Sequence, residues 1–320
     1  MPGPAQQTDM PMTVPILIDC DPGHDDAIAL LLALASPEVE LVGVTTVSGN
    51  QTLAKTTANA LRVLELVGRG DVPVAAGADR PVKRDLFVAA YVHGESGLDG
   101  SALPEPQGKP VPEDAADFIA ERVSGSAPPV TLVPTGPLTN VAVFLERHED
   151  AARKLERIVL MGGAIAEGNV TPAAEFNIWA DPEAAARVFR SGLDVTMVGL
   201  DVTHKALMTP AHGRRLREAG RTGTVVAELL EFYSRFHREV YGFPGSPIHD
   251  AVAVAHVVAP GLVETKRLNV EIELESELCR GRTVVDLWRR TEREPNAHVA
   301  VDIDSERFLE LLLERLSTFP

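Results

Sequence analysis

The residues Asp19-Cys20-Asp21-Pro22-Gly23-His24-Asp25-Asp26 place four carboxylates within eight positions. Like charges crowded this closely repel, so some must protonate unless a cation joins them. A hard divalent ion with oxygen ligands is the natural partner. Part of the run has a plainer explanation. Pro22-Gly23 forces a turn, and Asp25 and Asp26 open a helix, where the dipole favours negative charge. Neither reason accounts for four acids together. Asp19 and Asp21 are two apart, so they point the same way if the strand persists. Cys20 has no evident base partner and reads as a small buried apolar residue.

The elements that must position these acids alternate along the chain. Residues 14–19 are a short apolar run ending in acid, which suits a buried strand. A helix over 26–36 follows, stopped by Ser36-Pro37. Residues 39–47 read as a second strand and 51–67 as an amphipathic helix closed by Gly68 and Gly70. Further strands are expected at 130–133, 157–161 and 195–199. Helices are expected from about Pro137 and over 182–190. Buried strands separated by helices predict an α/β fold, a mostly parallel sheet covered on both faces. Residues 86–109, rich in Gly and Pro, show no convincing element and read as a functional loop or lid. The C-terminal half adds helices (214–218, 224–240, 305–316) and strands (268–274, 283–287, 299–303). No linker cuts the chain, so residues 14–320 are expected to form one domain behind a flexible extension, 1–13.

The whole chain of 320 residues carries 30 Lys+Arg against 46 Asp+Glu, a net charge of −16. Such a balance excludes holding nucleic acid by its phosphates and argues against an anionic membrane surface. Two cysteines make no disulfide framework, no signal peptide is evident, and the longest apolar run, 27–35, is too short to span a bilayer. The expectation is a cytoplasmic protein. In open α/β sheets ligands bind beyond the carboxyl ends of the strands, so the loops at 19–26, 46–51, 134–140, 162–177 and 200–204 are the ones to read for chemistry.

An EF-hand loop starting at Asp19 fails, because its sixth and twelfth positions hold His24 and Leu30. Asp-x-Asp after a first strand also resembles the Mg²⁺ phosphatases of the haloacid-dehalogenase type. There the first Asp is the nucleophile, but the position two beyond the second Asp, usually Thr or Val, is Gly23 here. The stretch Ile18 to Ala27 is more similar to the N-terminal signature of the nucleoside hydrolases. Six further stretches agree in order: Ser48-Gly49-Asn50-Gln51-Thr52, 93–100, 134–140, Leu160-Met161-Gly162-Gly163, Ala174-Glu175-Phe176-Asn177 and Pro247-Ile248-His249-Asp250. The stretch 199–206 and the His93 loop resemble most the bacterial pyrimidine-specific ribonucleoside hydrolases.

The resemblance implies a Rossmann-like fold, a nucleoside-salvage enzyme, a homo-oligomer (tetramer or dimer) and a Ca²⁺ cofactor. It also implies Ca²⁺-dependent cleavage of an N-glycosidic bond, with uridine and cytidine as substrates. Asp21, Asp26, the Thr135 carbonyl and Asp250 would ligate the ion; the plainer role for Asp250 is a helix-opening acid. Asp21 would be the general base toward a water that the ion orients. Asp25, Asn50, Glu175, Asn177 and Asp250 would grip the ribose, with Met161 under its ring. Glu175 and Asn177, two apart, could share one face of an extended segment, while Gly49-Asn50 alone is an ordinary turn signal. His249 is the candidate acid or hydrogen-bond donor to the leaving base. His237 and Tyr241, four apart on one helix face, would contact the base, and His93 would close over the substrate. His24 and His204 fall in matching stretches without a role. A sugar- or nucleoside-binding protein without catalysis is the non-enzymatic alternative, and His148, His212, His256 and His298 read as surface or packing residues.

Overall fold

The computed structural model describes residues 13–320. The expected extension, 1–13, therefore lies outside the described residues except for Thr13. Eight strands form the central sheet in the order β3-β2-β1-β4-β5-β6-β12-β9. They are β1 (Val14–Cys20), β2 (Val39–Thr46), β3 (Val74–Ala76), β4 (Thr131–Pro134), β5 (Arg157–Met161), β6 (Val195–Val198), β9 (Val263–Leu268) and β12 (Ala297–Ile303). All neighbours pair in parallel except β9, which runs antiparallel along β12. Two small two-stranded sheets complete the set: β7 (Leu207–Met208) with β8 (Ser246–Pro247), and β10 (Val270–Ile272) with β11 (Thr283–Val285). The α/β expectation with a mostly parallel sheet is met.

The period of two along β1 explains why both faces are covered. Ile16, Ile18 and Cys20 enter one apolar cluster and Leu17 the other. On the first face lie α1 (His24–Ala35), α2 (Leu53–Leu66), α11 (Arg221–Tyr241), α12 (His249–Val258) and α13 (Ser305–Leu316); on the second lie α4 (Ala115–Gly125), α5 (Thr139–Arg147) and α8 (Pro182–Phe189). Helix α1 is buried from His24 to Ala33, which explains its near-continuous apolar sequence. Shorter helices are α3 (Ala90–His93), α6 (Glu149–Ala152), α7 (Phe176–Ala180), α9 (Leu200–Thr203) and α10 (Pro210–Arg217).

Several expectations need correction. Helix α1 starts at His24, two residues early, because Gly23 closes the strand-to-helix turn and its N–H donates to Asp26. Helix α4 and strand β3 have no counterpart in the sequence reading. The strand expected at 268–274 shortens to β10, and β9 before it was missed because this edge strand carries Glu264, Lys266 and Arg267, which hide its apolar pattern. Residues 86–109, expected without an element, contain α3 and bury Ala89, His93 and Leu98, while 105–110 are largely exposed.

The chain leaves β1 to one side for β2 and β3 and returns on the other for β4 to β6. Strand order therefore reverses between β1 and β4, which opens a crevice beyond their carboxyl ends. Asp19 at the end of β1 stands beside Pro134 at the end of β4.

Candidate active site

A cavity occupies this crevice. Asp25, Asn50, His93, Thr135, Met161, Glu175, Asn177, His237, Tyr241, His249 and Asp250 line it. These come from eight separate stretches of chain, brought together by the strand ends and by α11 and α12. Asp21 and Asp26 are buried but are not part of the lining.

Ligand oxygens of Asp25, Asp26 and Asp250 lie within 4.8 Å of one another. Asp26 is fixed by three donors: the Gly23 N–H at 3.0 Å, Asn50 Nδ2 at 3.2 Å and Thr135 Oγ1 at 2.8 Å. Asp21 accepts the Asn50 N–H at 2.6 Å through Oδ2, while its Oδ1 is buried without a hydrogen-bond partner. The loops crowd it closely. A Cβ on Gly49 would stand 2.1 Å from Asp21 Oδ2, and one on Gly136 would stand 2.6 Å from Oδ1. Asp25, expected at the ribose, lies in the first turn of α1 and converges with Asp26 and Asp250, while Asp21, expected among the ligands, stands beside them with its orphaned oxygen.

Burial, and then Asp26 beside it, pushes the Asp25 carboxyl up to about 8. Asp21 and Asp250 are raised well above the usual carboxylate range, first by burial and then by neighbouring acids. Among the described residues no Lys or Arg lines the cavity to relieve them. An orphaned buried oxygen, three converging carboxylates and uncompensated charge make a donor set that fits a hard cation. Asp19 lies outside the lining and accepts Thr45 Oγ1 at 2.6 Å and Asn140 Nδ2 at 2.8 Å. It positions a strand end and is no exposed nucleophile, contrary to what the phosphatase reading requires.

Glu175 and Asn177 do not share an extended face. Glu175 caps α7, its carboxylate accepting the N–H groups of Asn177, Ile178 and Gly163, and Asn177 lies inside that helix. Burial still lifts Glu175 to about 7 despite these bonds. Asn177 Nδ2 donates to the Thr135 carbonyl at 2.7 Å and the Met161 carbonyl at 3.1 Å, which leaves its Oδ1 for a ligand hydroxyl.

The opposite wall is aromatic. Tyr233, His237 and Tyr241 follow one another at four-residue spacing along α11. His237 and Tyr241 stack with centroids 6.0 Å apart. His237 Nδ1 lies 3.0 Å from the Tyr233 carbonyl; a carbonyl only accepts, so Nδ1 carries the proton. Burial lowers His237 to about 4 and drives His93 and His249 well below the usual imidazole value. His249 Nδ1 lies 2.7 Å from Thr203 Oγ1. His93 sits at the end of α3 with Nδ1 3.1 Å from His24 Nδ1, and His24 Nε2 donates to the Asp99 carbonyl at 2.8 Å. His93 is therefore already enclosed.

The sequence reading missed Tyr91, Asn169, Phe176, Tyr233 and Phe236, and gave no role to His204, yet all line the cavity. For Tyr233 a signal existed, the same four-residue spacing that singled out His237 and Tyr241. His256, expected to be a packing residue, is buried in α12.

The chain is similar to known proteins over nearly its whole length. The sequence profile of the family described as inosine-uridine preferring nucleoside hydrolase matches residues 16–310. The pyrimidine-specific ribonucleoside hydrolase RihA of Citrobacter koseri is 51% identical over 310 residues, covering 96% of this chain and 99% of that protein. Its counterpart in Salmonella typhimurium is 52% identical, covering 96% and 100%. Among solved structures, a purine-preferring ribonucleoside hydrolase from Gardnerella vaginalis superposes with a TM-score of 0.90 at 36% identity, covering 95% of this chain and 98% of that one. A plant nucleoside hydrolase gives 0.87 at 35%, covering 96% and 99%. A carboxylate-lined crevice at the strand switch, within a fold and sequence shared end to end, places the chain in the inosine-uridine preferring nucleoside hydrolase family, and it is a ribonucleoside hydrolase.

Proposed function

We propose that the enzyme hydrolyses pyrimidine ribonucleosides, uridine and cytidine, to free base and ribose, and that it needs Ca²⁺ to do so. One observation carries the reading: buried carboxylates converge at one end of a cavity whose lining, among the described residues, holds no Lys or Arg. Such a site has nothing to grip a phosphate and suits a neutral sugar beside a cation. The pyrimidine preference draws on the two relatives above 50% identity, both named pyrimidine-specific.

Asp25, Asp26 and Asp250 would hold the ion, with Asp21 and the Thr135 carbonyl beside them. Bound there, Ca²⁺ supplies positive charge that polarises water and ribose hydroxyls. Asp21 takes the proton of the attacking water through Oδ1, its unpartnered oxygen. Asn50, Asn177, Glu175 and Asp250 receive the sugar hydroxyls, and Met161 packs under the ring. The buried carboxylates favour the positive charge that develops on the sugar as the bond to the base breaks. His237 and Tyr241 flank the base. His249, a neutral imidazole, offers it a hydrogen bond. The reading takes the protein as a cytoplasmic salvage enzyme and a homo-oligomer, dimer or tetramer, which sedimentation tests directly. No helix among the described residues is long and apolar enough to cross a membrane.

The deciding experiment incubates the protein with uridine, cytidine and inosine, each with Ca²⁺ or with chelator, and measures reducing sugar. Sugar release from uridine and cytidine that chelator abolishes is expected. Faster release from inosine would overturn the pyrimidine assignment, and full activity in chelator would overturn the ion.

A further inference from the structure

Three successive carbonyls of the loop that follows His93 are caught by one face of α2. Gln51 Nε2 donates to the Gly94 carbonyl at 3.0 Å, Lys55 Nζ to the Glu95 carbonyl, and Asn59 Nδ2 to the Ser96 carbonyl at 2.8 Å. The donors stand at four-residue spacing, so they line up along the start of the helix. Asn59 does more than hold this loop. Its Nδ2 also donates to the Pro22 carbonyl of the acid turn, at 3.1 Å. Both partners are carbonyls, which only accept, so the amide turns its nitrogen to them and its oxygen to Arg62 Nη1, 3.2 Å away. Asn59 is fully buried and is not part of the cavity lining. The loop comes close enough that glycine is required beside it. Gly97 has φ +87°, and a Cβ there would stand 2.9 Å from Asn59 Nδ2.

What each carbonyl is joined to gives the bridge its meaning. The Pro22 carbonyl and the Gly23 N–H belong to one planar peptide unit, and that N–H donates to Asp26 at 3.0 Å. Holding the oxygen end therefore aims the N–H end at Asp26, one of the three converging carboxylates. On the other side, the Ser96 N–H donates to Asp99 Oδ1 at 3.1 Å, and the Asp99 carbonyl accepts His24 Nε2 at 2.8 Å. The His24 ring stacks on His93 with centroids 5.3 Å apart. One buried amide thus connects the acid turn to the segment that presents His93.

We propose that Asn59 is a positioning residue for the reaction: its amide bridges the Pro22 and Ser96 carbonyls and so keeps Asp26 and His93 in register. The proposal rests on the calcium-dependent hydrolase reading and adds a residue that touches neither ion nor substrate. Asn59 acts through two backbone carbonyls. Without it both lose a buried donor, and the Pro22–Gly23 peptide can turn its N–H away from Asp26. The ion would then meet a carboxylate that is no longer aimed, and the loop after His93 would lose its tie to the acid turn.

The test measures Ca²⁺ binding to the ion-free protein by titration calorimetry, and uridine hydrolysis at saturating Ca²⁺. Asn59→Leu keeps the bulk and removes both donated bonds. The Kd for Ca²⁺ should rise about 10- to 100-fold, and kcat should fall by about as much while KM stays within about threefold. Leu64→Ala opens a cavity on the buried face of the same helix and lowers the thermal midpoint without removing a donor from either carbonyl. It should leave Kd and kcat near their unaltered values. Equal losses in Leu64→Ala would reduce Asn59 to a packing residue and overturn the proposal. So would an Asn59→Leu protein that folds and keeps both its affinity and its rate. Gly97→Ala keeps the amide but crowds it from the loop side, and it decides the matter if Asn59→Leu does not fold. It should weaken Ca²⁺ binding although it lies in the His93 loop, and an unmoved Kd there would overturn the bridge. If the unaltered protein binds no Ca²⁺, the calcium reading itself falls and takes this assignment with it.

Discussion

The two ends of the cavity are built from opposite ionisable groups, the carboxylates buried throughout and the aromatic wall partly open at Tyr91 and Tyr241. The start of α1 and Asp250 of α12 bring carboxylates to one end; α11, His93 of α3 and His249 of α12 bring aromatic rings and imidazoles to the other. Burial raises the acids, Asp25 to about 8, and lowers the imidazoles, His237 to about 4. Left alone, each end therefore favours its neutral form near pH 7. The difference lies in what each could gain. Converging carboxylates recover their charge when a cation joins them, whereas the enclosed imidazoles have no anion to do the same for them. The acidic end suits positive charge, first an ion and then the sugar's developing charge. The aromatic end suits a flat neutral base.

Removing a charge from the acidic end should do the greatest damage. Asp21→Asn keeps the shape and can still accept the Asn50 N–H through its amide oxygen, but it removes the unpartnered carboxylate oxygen that would take the proton. A kcat loss of about 10³-fold or more is expected, with the thermal midpoint held. Steady-state rates on uridine check this, and turnover near the unaltered rate would show that the base lies elsewhere.

The contrast between the ends also explains what was legible in the sequence. The acids from Asp19 to Asp26 are contiguous, so their crowding shows without any fold. Where α1 begins was less legible: it starts two residues early, so Asp25 and Asp26 both lie inside its first turn. Glu175 misled for a related reason: its own side chain starts α7, so spacing that suggests an extended segment marks a cap instead. The alternation of buried strands and helices predicted the parallel sheet, because strands covered on both faces read as unbroken apolar runs. Strand β9 lies at an edge, and β3 has only three residues, so neither shows such a run. The aromatic wall was least legible. Tyr91, His204 and Phe236 come from separate elements, and only packing brings them to one surface.

A milder change probes the aromatic end. Tyr241 stacks on His237 and Phe243, and its hydroxyl lies 3.5 Å from the Asn169 carbonyl. Tyr241→Ala removes a stacking surface worth about 1 kcal/mol, so KM for uridine should rise roughly five- to tenfold with kcat little changed. A collapse of kcat at constant KM would mean that this wall acts on the transition state and not merely on the base in its ground state.

The smallest effect separates the two ends by pH. Asp25 is raised from 3.8 to about 8. In the ion-free protein the folded state therefore keeps a proton that the unfolded chain has released above about pH 4. The stability this gives is complete below about pH 4 and is lost as pH climbs through about 8. The imidazoles run the other way. His237, lowered from 6.5 to about 4, contributes stability above about pH 6.5 that is lost as pH falls through about 4. Subtracting the thermal midpoint in chelator from that in Ca²⁺ isolates the acidic end, since the ion meets carboxylates only. The ion must displace protons at low pH and need not at high pH. Calcium should therefore raise the midpoint by on the order of 5 °C at about pH 8, and by half that or less at about pH 5.5. An increment that is flat with pH would place the ion away from Asp25, and one that grows toward low pH would reverse the sign of the proton linkage and break the division of the cavity into an acidic and an imidazole end.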